Sequence, residues 1–324
     1  MTTLQAIKSN IAPELKRLNQ LIRSQLSSGN PLMDRVIENY LTTKGKQIRP
    51  IVVMLCASMF GPVTDRVLDA AAAVELLHNA SLIHDDVVDD SKLRRNRPTI
   101  NAVWDNHIAV LVGDFFVSTA LQRAIATGDI RIIEAIGQLG KLLSLGEIDQ
   151  IYNAREHSLT EEAYFKIINF KTASLFVACA RVGCHAVGAD DDSTERLSRV
   201  AELLGLCFQI RDDIFDYYEA DKVGKPTGND LREGKVTLPL LHVLLDETAP
   251  RHDEMLALSS AEQLDYDQIA VLQAYARDNG GIDYAYDYMR RLRDRAAELL
   301  ETLPAGDART DILDLFDYII ARDF

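Results

Sequence analysis

The chain has 324 residues, of which 47% are hydrophobic, enough to bury a sizeable core in one large domain or two small ones. Asp and Glu number 49 against 35 Lys and Arg, for a formal net charge of −14. This acidity argues against nucleic acid or an anionic membrane surface as the main partner, because both favour a surplus of basic residues. An anionic substrate would therefore need a local group of basic residues or bound metal ions.

The N-terminal 20 residues mix polar and apolar side chains, without the basic start, apolar block and cleavage site of a signal peptide. No stretch reaches 18 uninterrupted apolar residues, since the long run 108–121 is broken by Asp114. The four cysteines form no CxxC pair, which argues against a disulfide framework or a zinc site. They are Cys56, Cys179, Cys184 and Cys207. We expect a soluble cytoplasmic protein without a transmembrane segment, its cysteines in the core.

Apolar residues recur mostly three and four positions apart, and alternating β-rich runs are scarce, which predicts an all-α fold. Residues 66–90 are rich in Ala and Leu and contain no Pro or Gly, so we expect a long, largely buried helix there. Short breaks rich in Gly, Pro and Asp separate the helical segments. They lie at 42–50, 60–65, 94–99, 186–194, 278–281 and 303–310. None resembles a domain linker, which predicts a single domain over residues 1–324.

The break at 221–239 is unusually long, and loops of this length are usually functional or disordered. Its glycines allow hinge motion and its basic residues supply charge, so we expect a lid. These residues are Gly224, Gly228, Gly234, Lys222, Lys225, Arg232 and Lys235.

The stretch SLIHDDVVDDSKLRR, residues 81–95, places four aspartates within six positions of a predicted helix. Residues four apart on a helix are neighbours, so the pairs Asp85/Asp89 and Asp86/Asp90 each cost about 0.2–0.5 kcal/mol. A solvated acidic face would explain the cluster if it stood alone. A bound cation would also explain it.

A second cluster in FQIRDDIFDYYEADK repeats the D-D-x-x-D spacing with Asp212, Asp213 and Asp216. The first and last aspartate of each motif lie one helical turn apart, so both carboxylates can reach one cation. Carboxylates without His or Cys suit Mg²⁺, which completes its shell with water and phosphate oxygens. The EF-hand pattern of calcium sites is absent from both motifs.

Basic residues lie beside both acidic clusters, although a single Lys or Arg is more often only a surface residue. Arg suits bidentate phosphate contacts and Lys serves as a movable point charge, so their placement predicts a phosphate site. They are Lys46, Arg49, Arg94, Arg95, Lys225 and Lys235.

The motifs GKQIRP, LIHDDVVDDSKLRR, FKTASLF and FQIRDDIFD…GKPTGNDLREGK resemble those of the trans-isoprenyl diphosphate synthases, or polyprenyl synthetases. The resemblance covers about residues 40–240 in the family's order, and the doubled aspartate motif is its most specific part. The last third of the chain is less diagnostic, and we assign it no catalytic role. The fold implied is a single antiparallel helical bundle around a deep central cavity, with both aspartate motifs at the mouth.

The resemblance also implies roles for individual residues. Those matching the Mg²⁺ site are Asp85, Asp89 and Asp212 as principal ligands, supported by Asp86, Asp213 and Asp216. Those matching the isopentenyl diphosphate site are Lys46, Arg49, His78 and Arg95. Those matching the surroundings of the allylic diphosphate are Arg94, Lys171, Thr172, Gln209, Lys225 and Lys235. Judged without the family, His78, Thr172 and Gln209 would more often be partly buried polar side chains that make their hydrogen bonds within the protein than ligand-binding residues.

The reaction implied is head-to-tail elongation, in which an allylic diphosphate ionises and C4 of isopentenyl diphosphate attacks the cation. A cluster of three Mg²⁺ ions would bridge the allylic diphosphate, and the family implies a homodimer. No side chain stands out as a general base, which agrees with proton transfer to the released diphosphate in the family.

Product length in the family depends on side chains one turn before the first motif, where Ala80 and Ser81 are both small. Further along the same helix, Ala73 and Val74 are also modest in size, and Leu77 is a candidate for a partial plug. We expect an all-trans product of six to ten isoprene units, with a farnesyl or geranylgeranyl diphosphate synthase as the alternative.

Two other readings carry less support. A class I terpene cyclase usually mixes Asn, Ser or Thr, and Glu in its second metal motif, whereas this motif is all Asp. A partner-dependent subunit of a heteromeric synthase generally lacks one or both motifs, whereas both are complete here.

Overall fold

The computed structural model describes residues 3–42, 45–94, 97–156, 159–218, 227–261 and 263–322. Two of the predicted site residues, Arg95 and Lys225, lie outside these ranges, as does the 221–226 part of the predicted lid.

Helices dominate the described ranges, as the apolar periodicity predicts. In chain order they are α1 (Thr3–Asn10), α2 (Ala12–Gln25), α3 (Pro31–Leu41), α4 (Ile48–Ser58), α5 (Asp65–Val88), α6 (Ile100–Val103), α7 (Asn106–Ala126), α8 (Ile130–Glu156), α9 (Glu161–Ile168), a π-helical turn (Asn169–Ala173), α10 (Ser174–Val187), α11 (Asp191–Phe215), α12 (Asn229–Arg232), α13 (Leu238–Leu244), α14 (His252–Ser259), α15 (Tyr266–Asp278), α16 (Gly281–Glu301) and α17 (Asp307–Ala321). The all-α prediction is confirmed, and the predicted breaks coincide with the ends of these helices.

The break at 94–99 overlaps two short strands, β1 (Leu93–Arg94) and β2 (Arg97–Pro98). They pair antiparallel, with Leu93 opposite Pro98 and Arg94 opposite Arg97. This small hairpin follows the first aspartate motif directly, and it carries Arg94 back towards the end of α5.

The predicted long helix is α5, and its Ala-rich middle is buried on nearly every face. It packs against α2, α4 and α7. The contact with α7 is close at Gly113, where a Cβ atom would overlap the His84 ring. The rigid packing of α5 fixes the direction in which its last turn, with the aspartates, points.

Residue contacts divide the chain into two compact units. Unit 1 comprises Met1–Lys141, Leu175–Ala201 and Leu299–Asp314, and unit 2 comprises Leu142–Ser174, Glu202–Glu298 and Leu315–Phe324. The first aspartate motif belongs to unit 1 and the second to unit 2. The single domain therefore stays a prediction, and the two units are described separately.

The four cysteines are buried and unbridged, as predicted. Burial raises the pKa of the Cys184 thiol to about 12 and also raises those of Cys56, Cys179 and Cys207. Thiols in this state are inert, which fits a packing role.

Two described helical stretches, Asn106–Ala126 and Glu161–Val187, are long and apolar enough to cross a membrane by length and composition alone. Buried core helices pass the same test, and two-thirds (67%) of the apolar window in the second stretch is buried. The window in α7 is less buried, at 39%, because one face of this helix is exposed. This outer face carries apolar side chains. These exposed side chains are Val110, Leu111, Val117, Leu121 and Ile125.

Candidate active site

The first aspartate motif forms the C-terminal end of α5. Asp85 and Asp86 lie in the last turn, and Asp89 caps the helix through its backbone N–H, which donates to the Asp85 carbonyl at 2.9 Å. Asp85 is half-buried and Asp89 is exposed. The C-terminal end of a helix is already electronegative, so carboxylates there are destabilising unless a cation binds.

Asp86 is buried, with 5% of its surface exposed, and points back into the protein. Its Oδ1 accepts a hydrogen bond from Nε of Arg94 at 2.8 Å. Burial raises the pKa of the Asp86 carboxyl, and Arg94 opposes that rise. The Asn101 amide donates to the Asp86 carbonyl at 3.1 Å. Asp86 therefore anchors the hairpin and Arg94, in agreement with a supporting role.

The GKQIRP motif leads into the N-terminus of α4, where Gln47 is the N-cap residue in a left-handed conformation (φ 55°). This conformation is uncommon outside Gly, and it is held here by Asn19 of α2. The two amides bond reciprocally, with Gln47 Nε2 to Asn19 Oδ1 at 2.8 Å as the shorter contact.

The basic residues of this motif differ in exposure. Lys46 is exposed, and the half-buried Arg49 guanidinium lies 5.5 Å from the centre of the Phe176 ring. The pKa of Lys8 is lowered, mainly by burial and further by the nearby Lys46. His78 is buried on α5. Positive side chains at a helix N-terminus suit an anion such as a diphosphate.

The second aspartate motif repeats this geometry at the end of α11. Asp212 and Asp213 lie in the last turn, and Asp216 follows the helix directly. Each of the three carboxylates has a protein partner. Asp212 pairs with the buried guanidinium of Arg322, which also lies over the rings of Phe208 and Phe215.

Asp216 holds the chain that returns from the long loop. Its two carboxylate oxygens accept from the backbone N–H groups of Asn229 at 3.3 Å and Asp230 at 3.1 Å. The Gly228 N–H donates to the Asp216 carbonyl at 3.2 Å. These bonds fix the start of α12, and so the described end of the predicted lid.

Asp213 is 3% exposed, and both its carboxylate oxygens are occupied. Tyr164 donates to Oδ2 at 2.6 Å, and the Gln209 amide donates to Oδ1 at 2.7 Å. Burial raises the pKa of Asp213 to about 7 despite these donors, and the neighbouring Asp212 and Asp216 add to the rise.

A cavity in unit 2 brings five of the predicted residues together: Lys171, Thr172, Gln209, Asp213 and Lys235. Apolar side chains form much of the remaining wall, including Ile167, Ile168, Val236 and Leu241. Polar groups that converge in an otherwise apolar cavity are typical of a small-molecule site.

The π-helical turn between α9 and α10 carries Lys171 and Thr172. Turns of this kind are rare and occur often at functional sites. The Lys171 ammonium lies 2.5 Å from Glu147 and 3.2 Å from the Gln150 amide oxygen, both on α8. A Cβ atom at Gly146 would lie 2.9 Å from the Lys171 backbone nitrogen, so the close approach of α8 depends on this glycine.

Sequence reasoning missed three residues that contact the second motif: Tyr164, Asp230 and Arg322. Asp230 lies against Asp216 and Asp213, and burial, followed by those two charges, raises its pKa. Arg322 belongs to the last third of the chain, to which the sequence assigned no catalytic role. Asp230 lies within the quoted GKPTGNDLREGK motif, although the sequence assigned it no role. No local pattern marks Tyr164 or Arg322, because their partners are distant in sequence.

The donor set of both motifs suits a hard cation, because it consists of carboxylate oxygens. Among the described residues, no group of three or more His, Cys, Asp or Glu side chains is arranged to hold a metal ion by itself. Mg²⁺ usually takes only one or two protein carboxylates and fills its shell with water and substrate phosphate. The residues therefore fit a metal that binds together with a diphosphate.

Comparison with known proteins identifies the family. The model of the family described as "Polyprenyl synthetase" matches residues 30–275, which include both aspartate motifs. The chain belongs to the polyprenyl synthetase family. It is therefore a prenyltransferase that elongates an allylic diphosphate head to tail with isopentenyl diphosphate, as the motifs predict.

Relatives within the family match over nearly the whole chain. Heptaprenyl diphosphate synthase component 2 from Geobacillus stearothermophilus is 36% identical over 323 residues, covering 99% of both chains. A polyprenyl synthase from Caulobacter crescentus, solved with calcium and isoprenyl diphosphate, is 30% identical with a TM-score of 0.91 and covers 99% of this chain and 98% of its own. A geranylgeranyl pyrophosphate synthase structure from Bacteroides thetaiotaomicron is 36% identical with a TM-score of 0.85, covering 99% of both chains. The fold is that of the all-α isoprenoid synthases.

We predict that Arg94→Met raises the pKa of Asp86 further, because a buried carboxylate loses its cation. NMR titration of the Asp86 carboxyl measures this directly. At neutral pH the free energy of unfolding of the variant, measured by urea denaturation, should be about 1–3 kcal/mol lower than that of the wild type. This loss of stability should shrink as the pH falls below the pKa of Asp86, since the neutral acid needs no cation.

Arg97→Met is the matched control, because Arg97 lies opposite Arg94 in the hairpin and bonds to Thr42 instead. An equal change of the Asp86 pKa in both variants would contradict the assignment of Arg94 as the partner of Asp86.

Proposed function

We propose that the chain is an Mg²⁺-dependent synthase of an all-trans polyprenyl diphosphate of six to ten isoprene units. The observation that carries the proposal is the cavity of unit 2, where Lys171 and Lys235 accompany the oxygens of Thr172 and Gln209. Cations suit a diphosphate, oxygen dipoles suit an allylic cation, and an apolar wall suits a prenyl chain. A solved relative holds calcium and isoprenyl diphosphate, which supports a hard divalent cation here.

The substrates would bind through two sets of basic residues. Lys171, Lys235 and Arg94, with Lys225 outside the described ranges, would hold the allylic diphosphate. Lys46, Arg49 and His78, with Arg95 outside the described ranges, would hold isopentenyl diphosphate. Mg²⁺ bound by Asp85, Asp89 and Asp212 would neutralise the charge that develops on the leaving diphosphate.

The remaining side chains of the cavity would protect and stabilise the cation. Thr172 and Gln209 present oxygen atoms, and apolar groups such as Ile168 and Leu241 exclude water. Asp213 is poorly suited to act as a base, because both its oxygens accept hydrogen bonds from Tyr164 and Gln209. This supports transfer of the proton to the released diphosphate.

The direct test incubates the purified chain with Mg²⁺, farnesyl diphosphate and labelled isopentenyl diphosphate, and resolves the products by length. We expect a ladder that converges on one long linear product. Asp85→Asn should lower kcat by at least about 100-fold, because it removes a charge that acts at the reacting centre. Asp90→Asn is the matched control, since exposed Asp90 lies outside the D-D-x-x-D spacing and pairs with Lys92.

Three results of this assay would contradict the proposal. A near-normal rate with Asp85→Asn would exclude the metal role. A cyclic hydrocarbon product would indicate a terpene cyclase. A folded chain that incorporates no isopentenyl unit would indicate a partner-dependent subunit, as the name of the heptaprenyl relative, component 2, suggests for that protein.

We propose that the outer face of α7 binds a second copy of the chain. This face exposes Val110, Leu111, Val117, Leu121 and Ile125 along successive turns. Exposed apolar patches of this kind mark protein contacts.

We predict that Leu121→Lys converts a dimer into a monomer in sedimentation velocity at assay concentration. Leu245→Lys is the matched control, because Leu245 is similarly exposed (49% against 45%) but belongs to unit 2, whereas α7 belongs to unit 1. A Leu121→Lys variant that stays dimeric would exclude this face. A monomeric but active wild-type chain would exclude the homodimer.

Product length would be set near the first motif, where Ser81 is half-buried and donates to the His78 carbonyl at 2.9 Å. Ala80 is fully buried, so a Phe there would overpack the core. Ser81 is therefore the better site for a plug.

We predict that Ser81→Phe shortens the final product and leaves the first condensation intact, as resolved by the same product analysis. Leu82→Phe, which adds bulk on the neighbouring helical face, should leave product length unchanged. An unchanged length in Ser81→Phe would show that this residue does not line the path of the growing chain. A wild-type product of four units, as in the geranylgeranyl relative, would replace the long-chain proposal with the short-chain one.

A further inference from the structure

Tyr164 lies outside the family's motifs as they occur in this sequence, yet it contacts Asp213 of the second aspartate motif. It is 7% exposed, lies on α9 and lines the cavity of unit 2. Its hydroxyl donates to Asp213 Oδ2 at 2.6 Å, a short contact typical of a hydroxyl bonded to a carboxylate.

Three hydrogen bonds connect Tyr164 to the oxygens that line the cavity. The second runs from Gln209 Nε2 to Asp213 Oδ1 at 2.7 Å, and the third from the Thr172 hydroxyl to Gln209 Oε1 at 2.6 Å. The chain is therefore Tyr164, Asp213, Gln209 and Thr172, drawn from α9, α11 and the π-helical turn.

The direction of each bond follows from the type of group. The ionised Asp213 carboxylate only accepts, so it takes the N–H end of the Gln209 amide and leaves the carbonyl end for Thr172. The Thr172 hydroxyl must then donate to that carbonyl. The lone pairs that remain on Thr172 and Gln209 belong to oxygens, and both side chains line the cavity.

Tyr164 fixes the first member of this chain. With both oxygens bonded, the Asp213 carboxylate has one orientation. Without the Tyr164 hydroxyl, Oδ2 loses its donor, the carboxylate can turn, and the Gln209 amide is no longer held in one of its two flip states. A flipped amide would present N–H groups to the cavity, which repel a cation.

We infer that Tyr164 is a positioning residue for prenyl transfer: through Asp213 it orients the Gln209 amide so that oxygens face the allylic cation. The inference rests on the proposed function for the identity of that cation. The hydrogen-bond chain itself is a property of the free protein and is testable without turnover.

The test is Tyr164→Phe, with Tyr217→Phe as the matched control. Tyr217 is also a buried tyrosine of unit 2, at 2% exposed, and its hydroxyl bonds to Thr237 Oγ1 at 3.0 Å instead of to Asp213. We expect kcat to fall about 10- to 100-fold in Tyr164→Phe only, the loss typical of a hydrogen bond to a charged group. The KM values of both substrates should change little, because Tyr164 is assigned to neither diphosphate.

Two further measurements separate positioning from a merely structural role. In a Gln209→Leu background, adding Tyr164→Phe should lower kcat no further, because both changes remove the same orientation. In the free protein, the side-chain amide signals of Gln209 should shift in Tyr164→Phe and not in Tyr217→Phe.

Each contrary result is decisive. Additive losses in the double variant, a rise in KM with unchanged kcat, or equal losses in both Tyr→Phe variants would overturn the positioning role. An unshifted Gln209 amide would overturn it even if the wild-type chain showed no prenyl transfer, whereas that absence alone would overturn only the proposed function.

Discussion

The concentration of negative charge at two helix C-termini is the constraint on which the functional part of this structure depends. In both motifs the first two aspartates lie in the last helical turn and the third lies directly after the helix end. Like-charge repulsion and the electronegative helix end both oppose this arrangement. A sequence that places carboxylates there twice favours ligand binding over stability, and such a site suits a cationic ligand.

The aspartates fall into two groups: those whose carboxylates bond to other parts of the protein and those whose carboxylates present charge to a ligand. Asp86 anchors the hairpin with Arg94, Asp216 holds the start of α12, and Asp213 orients Gln209. Asp85 and Asp89 lie at the more exposed edge of the first motif. Asp212 pairs with Arg322, so a metal ion at this carboxylate would act beside a buried guanidinium. Each short motif thus combines candidate metal ligands with aspartates that hold the surrounding structure in place.

The sequence predicted the helical fold, the buried helix before the first motif and the positions of most breaks, because these follow from local periodicity and from Gly and Pro. It predicted five residues of the cavity through motif resemblance. It missed Tyr164 and Arg322, because their roles arise from contacts across 49 residues for Tyr164–Asp213 and 110 for Arg322–Asp212. It also gave no role to Asp230, although this residue lies within the GKPTGNDLREGK motif. The hairpin at 93–98 was also missed, since two residues per strand are too few for a periodic signal.

We propose that the carboxylates hold a metal ion only together with a diphosphate. Calorimetric titration with a non-reactive thio analogue of farnesyl diphosphate, with and without Mg²⁺, tests it most directly. We expect the analogue to bind at least about tenfold tighter with Mg²⁺, equivalent to about 1.4 kcal/mol, and we expect Asp85→Asn to lose this enhancement. Equal affinity in the presence and absence of Mg²⁺ would contradict it.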